Sequence, residues 1–138
     1  MPVKTKKKTW REKLDNGKEP FVGVMSRRVS GVEAGGMMLI PTPRQVDSYI
    51  RAIPKGVSKT SQEMSADLAQ SAGADVTCPM CCGIFIRIAS EVAHEEMLEG
   101  TQDVTPFWRI IPPKAPIRKK LEFVPLIDKL RAEEGLAV

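Results

Sequence analysis

TSQEMSADLAQSAGADVTCPMCCGIFIRIASEV, residues 60–92, decides how the chain folds. Thr60-Ser61-Gln62-Glu63 has the form of a capping box, in which the threonine hydroxyl and the glutamate carboxylate each satisfy a free backbone donor at a helix start. A helix is predicted from there to about Ser71, with Gly73 as its C-terminal stop. Pro79 suits a first helical position, where its missing donor had no partner to lose. Met80, Ile84, Ile88 and Val92 then follow at four-residue steps with Cys81 and Phe85 beside them, so the longest helix is predicted from Cys78 onward, ended by Gly100. Gly83 costs that helix about 1 kcal/mol relative to alanine. The apolar run from Cys81 to Ile88 also fits a buried strand.

Upstream, Val46, Tyr49, Ile50 and Ile53 fall at helical spacing until Pro54 and Gly56 break the chain, which predicts a helix of about two turns. Met37-Met38-Leu39-Ile40 reads as a short strand, because Pro41 and Pro43 remove donors and favour extended backbone before them. Residues 1–36 combine a lysine run with Gly23, Gly31, Gly35 and Gly36, and read as a mobile basic arm. Downstream, Thr105-Pro106-Phe107-Trp108-Arg109-Ile110-Ile111 is β-prone and reads as a strand or wing. Residues 112–120 carry Lys114, Arg118, Lys119 and Lys120 among prolines, a basic loop, and Val124 to Glu134 read as a terminal helix stopped by Gly135. Three consecutive helices followed by a strand are the order of a winged helix-turn-helix. The predicted fold class is therefore α+β, mainly helical, with short strands and a disordered basic arm, divided into 1–36, 37–113 and 114–138.

Composition narrows the function. A chain of 138 residues with 42% apolar content has material for one modest core. Its formal charge of +4 is uneven, because residues 1–30 hold nine Lys or Arg against three Asp or Glu. A basic arm on a nearly neutral body attracts polyanions through counterion release, although the same charge also serves a solubilising tail. No stretch approaches the roughly 18 to 20 consecutive apolar residues of a membrane span, and the lysine run leads into Trp10 and Arg11 rather than a signal core, which points to the cytoplasm. Cys78, Cys81 and Cys82 are too crowded for a long-range disulfide framework, and a reducing compartment fits them.

Two segments resemble a known family. Ile53-Pro54-Lys55-Gly56, followed closely by a capped helix, looks like the segment that introduces the helix-turn-helix of the methylated-DNA-protein-cysteine methyltransferases. Thr105 to Ile111 resembles that family's Ile-Pro-Cys-His-Arg-Val-Val active-site strand, keeping the proline, the arginine and the β-branched tail. The likeness spans about residues 40–113. Phe107 and Trp108 stand where the alkyl-accepting cysteine and its histidine belong, so no thiolate is available there. The resemblance is closest to the alkyltransferase-like members, which lack the acceptor and bind lesions without repairing them. It implies a non-catalytic protein that binds double-stranded DNA, recognises an alkylated or flipped guanine, needs no cofactor and works with a repair-pathway partner. Ser61 aligns with the tyrosine that helps rotate the nucleotide, and Met80 falls near the arginine that fills the vacated stack, where an apolar wedge can serve. Gly83 matches the small residues of the recognition helix, and Arg87 lies one turn beyond it. Phe107 is expected to face the base, Trp108 to back it, and Arg109, Lys114 and Arg118 to hold phosphates.

The cysteines carry the alternatives. One of Cys78, Cys81 and Cys82 could act as alkyl acceptor in an enzyme, or the three could bind zinc in a protein-interaction module. Zinc wants four ligands, and a helix sets His94 about 18 Å from Cys82. Buried thiols that pack as small apolar residues are the simpler reading. His94, among Glu91, Glu95 and Glu96, reads as a surface residue, and the methionines at 25, 37, 38, 64, 80 and 97, which share no common spacing, read as packing.

Overall fold

The structure, a computed structural model, describes residues 8–138. Thr9 opens a one-turn helix, α1 (Trp10–Leu14), through a capping box with Glu12. A strand β1 (Phe21–Val24) pairs antiparallel with β2 (Met37–Ile40). Thr42 caps α2 (Pro43–Arg51), and Thr60 with Glu63 forms the capping box of α3 (Ser61–Ala72). Gly73 ends α3 in the left-handed conformation at φ 69°, a geometry that strains any residue with a side chain. The chain then lays β3 (Val76–Thr77) parallel to β2 and turns at Cys78 into α4 (Pro79–Leu98). Two 3-10 helices follow, Phe107–Ile110 and Pro116–Lys120, before α5 (Val124–Glu133) closes the chain.

One apolar core holds these pieces together. Val46 and Ile50 of α2, Met64 and Leu68 of α3, and Cys82, Ile86, Ala89 and Ala93 of α4 meet Phe107, Ile110, Ile111, Phe123 and Ile127. A second, smaller cluster lies on another face of α4, where Leu14 and Trp10 cover Ile88 and Val92. The middle of α4 is therefore enclosed from two sides.

The mainly helical α+β class and the helices after residue 42 agree with the sequence reading, and so does the strand at Met37–Ile40. Two expectations are corrected. Residues 9–24 of the supposed arm form α1 and β1, because Trp10 and Leu14 have an apolar stripe on α4 to cover and β2 offers an open edge. Lys4, Lys6 and Lys7 lie outside the described residues. The second correction concerns Thr105–Ile111, which is no strand: Phe107–Ile110 is a 3-10 turn, and among the described residues no strand follows α4, so the wing is missing. The reason is visible in the spacing. Phe107, Ile110 and Ile111 all point into the core at 0–1% exposure, an i, i+3, i+4 pattern that a turn of helix satisfies and an alternating strand does not.

Candidate nucleic-acid interface

The apolar stripe of α4 is covered along only half its length. Ile88 and Val92 are buried beneath α1, whereas Met80 and Ile84, on the same stripe, are 71% and 48% exposed. Cys78 caps the helix by accepting a hydrogen bond from the Cys81 backbone N–H at 3.4 Å, so the first turn is firmly formed. Between the two exposed side chains Gly83 faces outward, and a Cβ built there would meet no atom within 4 Å. Glycine is not demanded by packing at that position. Its effect is to leave the backbone of α4 open to close approach by another molecule.

A cavity of about 410 Å³ opens beside this turn, between Ser61 and Gln62 at the start of α3, Gly83 and Ile86 of α4, and the segment from Ile110 to Ile117. Its walls are mostly apolar, and Lys114 stands at its rim. Lys114, Lys119 and Lys120 are exposed, and none of them pairs with a carboxylate among the described residues. The structure thus brings together Ser61, Gly83 and Lys114, residues that sequence reasoning had selected separately, while Met80 is exposed on the same first turns of α4 outside the cavity lining. Ile84 was missed as a surface residue because its spacing is that of a core stripe, and only the short reach of α1 leaves it bare.

The remaining selected residues have other occupations. Arg87 turns toward α1, with its guanidinium 5.0 Å from the Trp10 ring centroid and Glu91 3.8 Å away. Phe107 has no exposed surface and packs edge-on against Trp108 and Phe123, at centroid distances of 5.3 and 5.5 Å. It cannot face a base without leaving the core, which corrects its assignment to a pocket. Trp108 is partly buried, and its Nε1 donates to Glu134 Oε2 at 2.8 Å. Arg109 forms a fork to the same carboxylate, with Nε and Nη2 each 2.9 Å from an oxygen, while Nη1 donates to the Ile53 carbonyl at 2.8 Å. Arg118 donates to Asp128 at 2.7 Å and to the carbonyls of Pro112 and Ile111. Both guanidinium groups expected at phosphates are thus engaged with the protein itself.

Glu134 is the hub of this arrangement, and sequence reasoning overlooked it. Besides Arg109 and Trp108, its carboxylate accepts from the Gly56 backbone N–H at 3.0 Å. Burial works to raise its pKa, but the donors from Arg109, Gly56 and Trp108 prevail and hold it down at about 2. Beside it the buried Arg131 donates to the Trp108 and Ala137 carbonyls and to Ser58 Oγ. Helix α5 is in this way fastened to both segments on which the family resemblance rests. One signal was available: a carboxylate at a helix C-terminus opposes the helix dipole, so it calls for a partner elsewhere.

Two of the cysteine thiols are held in the protonated form. Burial, followed by the neighbouring Cys78, pushes the Cys81 thiol up to about 12, and burial pushes Cys82 up to about 11. Thiolate, the reactive form, is therefore scarce at neutral pH. Cys82 does line a second cavity of about 660 Å³ between α3, β3 and the Ser30 loop. His94 stacks on Phe123 at 4.0 Å, and among the described residues no three His, Cys, Asp or Glu side chains are grouped to hold a metal. No helix of the described residues is long and apolar enough to cross a membrane. No family model matches the chain, and no match is found among curated proteins or solved structures.

Proposed function

We propose that the protein is a non-catalytic DNA-binding protein of the alkyltransferase-like type, which meets double-stranded DNA with the first turns of α4. The observation that carries this reading is the uncovered start of a helix whose middle is enclosed, Met80, Gly83 and Ile84, with Lys114, which pairs with no carboxylate among the described residues, lining the cavity beside Gly83. A helix-turn-helix reads base edges with the N-terminal residues of its second helix; here α3 and α4 are consecutive helices, and the short strand β3 lies in the connection between them. Large apolar side chains left in water at such a place gain from contact with base edges or from wedging between base steps.

The cavity beside Gly83 takes over the role first assigned to Phe107. Its apolar walls suit the face of an extruded alkylated guanine, with Lys114 near the backbone phosphates. Chemistry on the lesion is not part of the proposal, since Phe107 stands buried at the acceptor position and burial keeps the Cys81 and Cys82 thiols protonated.

A binding titration tests this reading. Duplexes with and without an alkylated guanine are titrated at several salt concentrations, using the full chain and a variant with Lys114, Lys119 and Lys120 changed to alanine. The full chain is expected to bind both duplexes, the alkylated one more tightly. The variant should lose affinity for both alike, with a salt slope shallower by roughly 0.9 for each phosphate contact removed. An unchanged slope takes the basic loop out of the interface, and equal affinity for the two duplexes removes the lesion from the reading. Transfer of the alkyl group to the protein would show instead that a cysteine is the acceptor.

A further inference from the structure

From the geometry of the first turn of α4 we infer that Cys78 and Cys81 form a reversible disulfide, a thiol switch whose closure does not depend on DNA binding. Cys78 is the N-cap and Cys81 the third helical residue, so the capping geometry itself turns one side chain toward the other. The sulfurs lie 2.8 Å apart, with the Cys81 thiol donating to Cys78 Sγ. A disulfide bond is ~2.05 Å long and requires side chains that already converge, as these do. Cys82 points elsewhere: it is 2% exposed and sits against the core and the α3–β3 cavity.

Access favours one direction of reaction. Cys81 is half-buried and Cys78 is at the edge of burial, so Cys81 is the thiol that meets an external reagent. The oxidant is a low-molecular-weight disulfide such as glutathione disulfide. The small thiolate fraction of Cys81 attacks one glutathione sulfur, forming a mixed disulfide and releasing one glutathione thiolate. Cys78, deprotonated in turn, attacks the Cys81 sulfur, forms the Cys78–Cys81 bond and releases the second. Each protein sulfur loses one electron, the glutathione disulfide takes up both, and the two thiol protons end on the two glutathione molecules. Because thiolate is scarce the first step is slow, whereas the second is intramolecular between atoms already in contact. Closing this bond fixes the turn that carries Pro79 and Met80, whatever that turn binds.

The test oxidises the full-length chain with glutathione disulfide, quenches with acid, labels free thiols with N-ethylmaleimide in denaturant and reads the intact mass. The unmodified chain has three thiols and is expected to take one label after oxidation, with the mass of a closed disulfide, and three after dithiothreitol. Cys82→Ala should take no label after oxidation. Cys78→Ser should stop at a glutathione adduct, and Cys81→Ser should form no internal bond. Three labels after oxidation of the unmodified chain, a lasting glutathione adduct on it, or closure in Cys81→Ser overturns the inference. If a serine variant does not fold, as far-UV circular dichroism will show, Cys82→Ala decides alone because it retains only the proposed pair.

Discussion

Phe107→Ala is expected to lower the free energy of unfolding by about 3 to 5 kcal/mol, the range for removing a large side chain from a filled core. The ring has 0% exposure and lies between Trp108 and Phe123, in contact with the cluster built by α2, α3 and α4. Urea melts should show a large fall in midpoint with little change in slope, since the same surface is exposed on unfolding. Phe107→Leu should recover much of the loss. Had the ring stacked on a base, the alanine variant would instead bind DNA about 5- to 150-fold more weakly and melt almost as before. A loss of less than about 1 kcal/mol would therefore return Phe107 to the binding surface and contradict the packing described above.

Glu134→Ala should be as damaging, by about 3 to 5 kcal/mol, because it strands the partners of a buried ion pair. The side chains of Arg109 and Glu134 are 15% and 6% exposed, and removal of the carboxylate leaves the guanidinium, the Gly56 N–H and Trp108 Nε1 without their shared acceptor. The pH dependence has a definite sign. Glu134 has its pKa held down at about 2 in the folded chain, against about 4.3 for a free glutamate. Such a group contributes its full stabilisation above the unfolded value and loses it as pH falls through the folded one. On that basis about 3 kcal/mol is lost between about pH 5 and pH 2. Glu134→Gln, which keeps an acceptor but does not titrate, should flatten that part of the stability curve while lowering its plateau. An unchanged acid limb in the glutamine variant would show that other carboxylates govern acid unfolding.

What could be read in the sequence was local. Thr60 with Glu63, Gly73, and Pro79 after Cys78 are signals whose meaning lies within one turn of backbone, and they fixed α3 and α4 to within a residue or two. The misreadings share a different cause, which is that the deciding partner is distant in sequence. Helix α1 is five residues long, too short for any period to show, and forms because Ile88 and Val92 offer it an apolar surface. Phe107 to Ile111 has the composition of a strand but no strand to pair with, and the core takes it as a turn.

The site was legible in the same uneven way. Ser61, Gly83 and Lys114 were singled out for reasons that had little to do with one another, and the fold gathers them around one cavity, with Met80 exposed on the same helix turn as Gly83. Arg109 and Arg118 were assigned to phosphate because a free guanidinium suits it. Their partners Glu134 and Asp128 lie 25 and 10 residues along the chain, and nothing short of the packing of α5 reveals them. The two kinds of error have one lesson: charge in a sequence gives the number of cations, and the fold gives the number left over.

The central claim, that the opening turns of α4 meet duplex DNA, is tested most directly by following backbone amide resonances of the labelled chain as duplex is added at low salt. The account predicts that Ser61, Gln62, Met80 to Ile84 and the 114–120 loop shift together and saturate with one affinity, while β1 and the turn carrying Arg109 stay where they were. Shifts confined to α1 or β1, or none at all with duplex in excess, would contradict it.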